Sequence, residues 1–434
     1  MKKRPFIFYG WFIVVAGIIS YALGYGARYS FSVIFPSLLA EFQWPRDTTA
    51  VMLSVHLLVY GLVAPVAGNL VDRIGPRKAM VFGTMLLSLG LFLSGWGSKL
   101  WHFYLSFGVL CGAGLCFIGA VVYTTILRNW FEKKRGLAFS LMFFGAGGAF
   151  VWYPGIAFLI EHVGWQNTFF TQGIVLGGLM VPLIIFVIRY HPREKGLVAD
   201  GGINTDTHST PSETWDTLIV DHAWAAIDWT LQKAIKTRRF WLVCLAAFSM
   251  WGITQHIMVA HHVAFATDLG YSKIYASSVL SLFGIAFAFG SLAASVSDRI
   301  GRELTMTLSA IVGISGIVVL MLMKSSSDAW MLYYYAIAFG FGNGLSAPTI
   351  PAITTDIFQG PRVGSAIGFV WFSFAVGGAI GPWLGGWIFE LVQDYEMAFG
   401  VAIGWYAVSA VAIWGASPRK VRCVPGQAGA SQKS

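Results

Sequence analysis

A polar stripe inside an apolar stretch near the N-terminus holds the residues best suited to bind an anion. These polar side chains recur at the spacing of one α-helical face, and they are Tyr21, Tyr25, Arg28, Tyr29 and Ser32. A guanidinium binds a carboxylate through two parallel hydrogen bonds, and phenol hydroxyls add further donors. The stripe therefore predicts an anion site built around Arg28.

Histidines provide the groups that change charge near neutral pH. His256, His261 and His262 lie in one apolar stretch, and His56 lies in another. Because histidine titrates near neutral pH, it is able to couple a proton to an anion. We predict His261 as the main proton-coupling and anion-binding residue, with His56 as a second proton carrier and His256 as a second anion contact. A structural hydrogen-bonding role is the alternative for each.

Other polar or aromatic side chains are weaker candidates for ligand contact. We include Tyr123, Asn343 and Trp371, although packing and hydrogen bonding between helices are the more common roles of such residues. No carboxylate lies near the centre of an apolar stretch, so the interior is predicted to be cationic or neutral. The sequence has no nucleotide-binding loop, nucleophile elbow or metal-ligand spacing, and we predict no cofactor, no metal and no enzymatic activity.

The stretches that carry these residues recur along the whole chain. Of 434 residues, 56% are hydrophobic and only 11% are charged, whereas a soluble domain has about 25% charged residues. A membrane-spanning helix needs about 20 mostly apolar residues. We predict an all-α membrane protein with twelve spanning helices, at residues 9–38, 49–70, 77–96, 101–127, 136–160, 166–190, 240–266, 274–296, 303–324, 329–355, 364–390 and 397–417.

The positions of the basic residues indicate the topology. All but five of the 29 Lys and Arg residues fall in the two termini and in alternate loops. This asymmetry predicts that both termini are cytoplasmic, and it explains the net charge of +9 without nucleic-acid binding. Arg28 then lies about 10 residues, or roughly 15 Å, from the outer end of its helix. We expect it to face an internal cavity; the alternative is that it extends to the membrane surface.

A polar stretch at 191–239 divides the chain into halves. We predict a six-helix bundle at 1–190, a cytoplasmic linker, a second bundle at 240–417 and a cytoplasmic tail at 418–434. The linker ends in DWTLQKAIKTRRFW, which predicts a short amphipathic helix on the membrane surface with Trp229 among the headgroups. GNLVDRIG, which ends at Gly75, recurs as ASVSDRIG, which ends at Gly301. Such internal repeats are typical of transporters whose site lies between the halves.

GNLVDRIGPRK resembles the loop signature of the major facilitator superfamily, and SVSDRIGRE resembles its second copy. The resemblance implies two six-helix bundles that rock around a central cavity. It also implies a gating role for these loops, for which a turn that only sets the topology is the alternative. The residues concerned are Gly68, Asp72, Arg73, Gly75, Asp298 and Arg299.

Four further segments resemble the monocarboxylate transporter and oxalate/formate antiporter group, in particular a bacterial branch. They are YGWFIV, GARYSFSVIFPSLLAEFQWPRD, RNWFEKKRGLAFS and HPREKGL. Members of that group often carry an arginine, sometimes with an aspartate, in the middle of the eighth helix. This chain has Phe287 and Ser291 there, so the usual carboxylate anchor does not carry over.

These features predict a secondary transporter of small organic anions, in particular carboxylates, with proton symport favoured over exchange. The alternatives are a carboxylate exchanger, an exporter of hydrophobic or cationic compounds, and a receptor that binds an anion without transporting it. A binding site for a cation would require a buried Asp or Glu to balance its charge. We expect a monomer in a bacterial inner membrane whose partners are the anion, the proton and the lipid bilayer.

Overall fold

Helices make up the regular structure of the computed structural model, which describes residues 8–131, 135–199, 218–359 and 363–424. Within those residues, an isolated antiparallel bridge between Ile219 and Arg422 is the single β-type pairing. The helices before the polar stretch are α1 (Gly10–Tyr29), α2 (Phe31–Phe42), α3 (Arg46–Ile74), α4 (Pro76–Gly95), α5 (Leu100–Cys116), α6 (Ala120–Trp130), α7 (Arg135–Gly148) and α8 (Tyr153–Val187).

The helices after the polar stretch are α9 (Arg238–Asp268), α10 (Lys273–Ala293), α11 (Arg302–Met321), α12 (Ala329–Ile357), α13 (Val363–Val392) and α14 (Glu396–Ala416). Nine segments of the described residues are long and apolar enough to cross a membrane. The 29-residue α12 is long enough but is not among them, because its Tyr, Asn and Pro residues lower its hydropathy. The helix α8 is interrupted at Gly164, whose φ of 81° is available to glycine without strain.

The first helical segment is irregular at Ser30, two residues after Arg28. Ser30 separates α1 from α2, and its hydroxyl donates to the carbonyl of Ala27 at 2.8 Å. The Ser32 hydroxyl donates to the carbonyl of Tyr29 at 2.9 Å. Serine hydroxyls that bond back to the preceding turn often bend a helix. Arg28 therefore lies in the last turn of α1, next to this irregular point of the backbone.

Two helices contain a widened, π-helical turn. One runs from Tyr104 to Cys111 in α5, and the other runs from Phe248 to Thr254 in α9. At the second turn Gly252 packs directly on Gly377 of α13, where a Cβ atom would lie 2.7 Å from the Gly377 Cα. Because π turns change which backbone carbonyls are bonded within the helix, they often occur at functional sites.

The two parts of the chain pack along several helix pairs. The helix α3 lies along α13, and α7 lies along α10. Gly147 and Gly284 meet in the second pair, where a Cβ on Gly147 would come within 2.5 Å of the Gly284 carbonyl oxygen. A side chain at either position would force the helices apart, so glycine permits this close approach.

The described end of the linker packs on the protein. Trp229, which we expected among lipid headgroups, is only 4% exposed. Its ring lies 4.5 Å from that of Trp224 and 5.1 Å from that of Phe358, because the linker folds back onto the end of α12. A single helical turn, Leu231–Ala234, stands where the amphipathic helix was predicted. The predicted linker residues 200–217 and the two chain ends lie outside the described residues.

Candidate functional site

Arg28 is fully buried and lacks a hydrogen bond. Its side chain is 0% exposed, and all three guanidinium nitrogens are without a hydrogen-bond partner among the described residues. The guanidinium carbon lies 4.3 Å from the ring centre of Tyr60 on α3 and 4.9 Å from that of Tyr25 on α1. These rings offer their electron-rich faces to the cation, yet they leave its N–H donors free.

The predicted tyrosines lie along α1 next to this guanidinium. Tyr21 and Tyr25 stack at 4.9 Å, and the hydroxyls of Tyr25 and Tyr60 are 3.0 Å apart. Tyr29 faces the opposite part of the protein, where its ring lies 6.0 Å from that of His256 on α9. The structure therefore brings Arg28 and the three tyrosines together at a place where the two parts of the chain meet.

His56 and His256 share one arrangement on opposite sides of this place. The Nδ1–H of His56 donates to the carbonyl of Phe107 at 3.0 Å, and the Nδ1–H of His256 donates to that of Trp251 at 2.8 Å. Both carbonyls belong to the π turns of α5 and α9. Because a carbonyl only accepts, Nδ1 carries the proton in each neutral ring. Each Nε2 is then a buried acceptor without a partner, within electrostatic range of Arg28.

His261 lies in a different environment from the one expected. We predicted it beside Arg28, but its ring contacts Tyr395, Phe35 and Pro382. The His261 Nε2–H donates to the Pro382 carbonyl at 2.8 Å, and Nδ1 accepts from the Tyr395 hydroxyl at 3.3 Å. Both ring nitrogens are therefore satisfied. His261 is five residues after His256, so α9 turns it away from the face that carries His256.

Tyr395 connects His261 to a second arginine, Arg46. We call this group of residues the Arg46 cluster: Arg46, Asp268, Glu390, Tyr395 and His261. Arg46 Nη1–H donates to the Tyr395 hydroxyl at 2.7 Å, and Arg46 pairs with the Asp268 carboxylate at 2.8 Å. Its backbone N–H donates to Glu390 at 2.7 Å. The cluster joins α3 to α9 and α13, at the end of the molecule that we predict to face outward.

A neighbouring contact joins the two parts of the chain at the same end. The Lys273 ammonium at the start of α10 donates to the Ser37 hydroxyl in α2 at 3.0 Å. Together with the Arg46 cluster, this bond holds the first and second parts of the chain against each other where α2 and α9 end.

The weaker candidates occupy three different settings. Tyr123 shares a 2.6 Å hydrogen bond with Ser20, and its ring lies 6.5 Å from that of Tyr21, so it borders the Arg28 site. Asn343 is buried in α12, and its amide donates to the carbonyl of Phe339 at 3.2 Å. Trp371 stacks parallel to Phe143 of α7 with the ring centres 6.4 Å apart.

The full length of the chain is similar to a known family of membrane transporters. The model for the "Major Facilitator Superfamily" matches residues 17–308 and 257–433. The chain belongs to the major facilitator superfamily. As the sequence signatures indicate, this major facilitator is a multi-pass membrane transporter that resembles the monocarboxylate transporter group.

Relatives and a solved structure agree with this assignment. Monocarboxylate transporter 13 of Rattus norvegicus is 25% identical over 403 residues, which cover 91% of this chain and 86% of that protein. The uncharacterized MFS-type transporter YcxA of Bacillus subtilis (strain 168) is 24% identical over 408 residues, covering 92% and 93%. A bacterial homologue of the human lysosomal transporter Spinster, solved in an inward-facing and unoccupied conformation, superposes with a TM-score of 0.70 at 14% identity, covering 96% and 99%.

The predicted gating loops of this major facilitator adopt equivalent turns. Gly75 joins α3 to α4 with a φ of 81°, and Gly301 precedes α11 with a φ of 102°. Asp298 pairs with Arg302 at 2.8 Å, and Arg302 also pairs with Asp356 at 2.9 Å. The side chains of Arg73 and Arg299 are exposed. Gly68 and Asp72 belong to α3, but their burial lies outside what the structure describes.

Tyr60 and the members of the Arg46 cluster other than His261 were not predicted as site residues from the sequence. Tyr60 lies one helical turn after His56, and this spacing indicates that both side chains lie on the same face of the helix. No comparable signal marks the Arg46 cluster, because its members are far apart in the chain and each stands near the end of an apolar segment.

Proposed function

We propose that this protein is a secondary active transporter of small organic anions, in particular carboxylates, that works by alternating access with proton symport. The observation that carries the proposal is Arg28, whose guanidinium is fully buried and has no hydrogen-bond partner among the described residues. The relatives named monocarboxylate transporters support the same class of substrate.

The unpaired charge of Arg28 favours an anion over any other ligand. A buried cation without a counter-charge is costly, and hydrogen bonds to a carboxylate would repay that cost. Tyr25 and Tyr60 hold the guanidinium from one side through their rings, which leaves its N–H groups for the ligand. A site for cationic compounds would need a buried negative charge. The buried Arg28 therefore favours an anion transporter over an exporter of cationic compounds.

Proton coupling is assigned to His256 and His56. Each keeps one ring nitrogen free in the neutral state, so each is able to accept a proton without losing its bond to the π turn. A protonated imidazole near Arg28 would make a site with two positive charges. An anion relieves that repulsion, so proton and anion would favour each other's binding. If neither histidine titrates during transport, the protein is a carboxylate exchanger.

Alternating access requires the Arg46 cluster to open. In this conformation its ion pair and hydrogen bonds hold the predicted outer end closed. The loops at Gly75 and Gly301 would close the opposite end when the halves rock, as the superfamily signature implies. Substrate would then reach Arg28 from one side of the membrane at a time.

We further propose twelve spanning helices in two bundles, residues 1–190 and 240–417, in a bacterial inner membrane with cytoplasmic termini. The interruption of α8 at Gly164 supports two separate crossings there, and the length of α12 supports one more. The linker 191–239 and the tail 418–434 would both be cytoplasmic, because they carry many of the basic residues. We expect the transporting unit to be a monomer, since one chain holds both halves of the site.

The proposal is tested by uptake of radiolabelled propionate into proteoliposomes with an imposed inward proton gradient. We expect uptake by the wild-type protein and its loss in Arg28→Ala. Arg28→Lys should recover little, because an ammonium lacks the planar pair of donors that a carboxylate engages. Arg193→Ala is the matched control, since Arg193 is an exposed arginine in the linker outside the site.

Three results would overturn parts of this proposal. Full uptake by Arg28→Ala would remove Arg28 from the binding site. Wild-type uptake that ignores the pH gradient but requires an internal anion would establish exchange in place of symport. Saturable propionate binding without uptake under any gradient would indicate a receptor.

A further inference from the structure

A groove at the surface of the first half lies between α1 and the two parts of α8 that Gly164 separates. It contains about 680 Å³ of empty space, part of which is open to the surroundings. Its lining comes from all three segments and includes Gly26, Ala27, Trp152, Gly155, Gln172 and Val175. Apolar neighbours on α8 such as Phe158 and Ile174 are exposed. Exposed apolar faces of spanning helices contact lipid, so the groove opens toward the bilayer.

The free space in this groove is visible at Gly155. A Cβ atom built there would meet no other atom within 4 Å, so Gly155 borders open space. On the α1 side, a Cβ at Gly26 would lie 3.4 Å from the Trp152 ring, and the next lining residue is the small Ala27. A large side chain at Gly155 therefore has room to enter the groove.

Gln172 is a polar lining residue whose amide has no partner. Its amide nitrogen and oxygen are buried, and neither has a hydrogen-bond partner among the described residues. Its neighbour Thr171 also lines the groove, but the Thr171 hydroxyl donates to the Asn167 carbonyl at 2.8 Å. The last torsion of a glutamine side chain is soft, so the amide is able to turn toward a molecule in the groove. An amide without partners away from water raises the free energy of the empty protein.

The depth of Gln172 limits what its partner is. This step rests on the two crossings that we propose for α8, which place the interruption at Gly164 near the membrane surface. Gln172 follows eight residues later, or about 12 Å along the helix, and the hydrocarbon core is about 30 Å thick. Water does not fill this region, and charged groups are costly there. The partner is therefore an uncharged polar group carried into the bilayer by an apolar chain.

A neutral carboxylic acid matches both atoms of the amide. Its hydroxyl donates to the amide oxygen and its carbonyl accepts from the amide N–H, whereas an ester has no donor for the oxygen. Its alkyl chain suits the apolar side chains of Leu23, Ile156 and Leu159 in the lining. We infer that this groove binds the undissociated form of a long-chain carboxylic acid dissolved in the bilayer.

The groove is separate from the anion site, although both involve α1. Ala27 lines the groove, whereas Arg28 does not. Consecutive residues of a helix point about 100° apart, so the Arg28 guanidinium faces elsewhere. An acid in the groove braces the helix that carries Arg28 against α8 without reaching the guanidinium. The groove selects a neutral acid, and the anion site selects a carboxylate.

The inference is tested by photolabelling the full-length protein in lipid nanodiscs. The probe is myristic acid with a diazirine in its chain, and mass spectrometry maps the labelled peptides. We expect label on peptides from α1 and α8. Myristic acid and myristamide, which each offer a donor and an acceptor, should displace it. Methyl myristate should compete roughly 2- to 12-fold more weakly, which is the usual worth of one neutral hydrogen bond.

Variants at two positions locate the site. Gln172→Leu should abolish the difference between myristic acid and its methyl ester, and Gln166→Leu is the matched control because Gln166 lies on the same helix outside the groove. Gly155→Phe should fill the groove and abolish labelling of α1 and α8. Gly178→Phe is its matched control, because a Cβ at Gly178 also meets no atom within 4 Å and Gly178 is not in the lining.

The outcomes separate this inference from the proposed function. Equal competition by the acid and its methyl ester in the wild type would mean that any acyl chain occupies the groove, and would overturn the inference. A preference that survives Gln172→Leu, or labelling that survives Gly155→Phe, would overturn it as well. Loss of labelling in Arg28→Ala or with excess propionate would place the acid at the anion site instead. Intact labelling without any propionate uptake would overturn the proposed function alone.

Discussion

Two arginines in the first half of this transporter differ in how their charges are balanced. Arg28 has aromatic rings on its faces and no hydrogen-bond partner among the described residues. Arg46 pairs with Asp268, donates to Tyr395 and lies 4.0 Å from the ring centre of Phe389. Arg28 is 0% exposed, whereas the Arg46 side chain is 18% exposed.

The difference separates a charge kept for a ligand from a charge used for structure. When the partners of an internal charge come from the protein itself, the charge stabilises one conformation and has no donors left for a ligand. An internal charge left without partners raises the free energy of the empty protein, and it is retained where a ligand will supply the partner. The more buried arginine is therefore the one that we assign to transport.

The strongest test of the comparison is Arg28→Met. Uptake of propionate should fall at least about 100-fold, because two charge-assisted hydrogen bonds to the substrate are lost. The thermal stability of the purified protein should stay the same or rise, because an unpaired buried charge is removed. A large loss of stability would mean that Arg28 has partners in the folded protein that it lacks in this conformation.

The same substitution at the second arginine should act in the opposite way. Arg46→Met leaves Asp268 and Tyr395 without their donor but keeps the backbone N–H that Glu390 accepts. Because the ion pair is partly exposed, we expect the free energy of unfolding to fall by about 1–3 kcal/mol. Thermal unfolding in detergent, followed by tryptophan fluorescence, measures this change. Propionate binding at equilibrium should persist. If Arg46→Met is as stable as the wild type, the Arg46 cluster does not stabilise the closed outer end.

Histidine variants extend the comparison to the proton. His256→Gln should abolish accumulation driven by a pH gradient while leaving anion exchange, because glutamine keeps hydrogen bonding but does not titrate. His261→Gln should retain pH-driven accumulation, since both nitrogens of His261 are already engaged in the Arg46 cluster. Paired measurements of uptake and exchange in proteoliposomes decide between them. The reverse pattern would return the coupling role to His261.

The smallest effects concern the ring of Tyr60. Tyr60→Leu removes the face that supports Arg28 and should weaken propionate binding about tenfold. Tyr60→Phe keeps the ring and loses only the hydroxyl bond to Tyr25, so its effect should be about threefold or less. Calorimetric titration of the two variants separates the contributions of ring and hydroxyl. Equal losses in both would assign the effect to the hydroxyl.

Part of the candidate site was predictable from periodicity. The spacing of Tyr21, Tyr25 and Arg28 places them on one helical face in any α-helix, so the stripe needs no tertiary information. The same reasoning did not place His261. His256 and His261 both follow the π turn of α9 and are five residues apart in a regular helix, so they point about 140° away from each other. The packing of α9 against the first half decided that His256 meets Tyr29 and that His261 meets Phe35.

Composition and periodicity by themselves determined that this chain is a multi-pass helical protein with a cationic polar stripe, because helices in lipid must be long, apolar and satisfied internally. The repeated loop signature, through its resemblance, pointed to the superfamily. Only the tertiary structure decided which charges remain unpaired. Arg28 and Arg46 have the same side chain, and whether each meets a carboxylate depends on how helices hundreds of residues apart in sequence pack together. That packing left Arg28 beside neutral rings and brought Arg46 to Asp268.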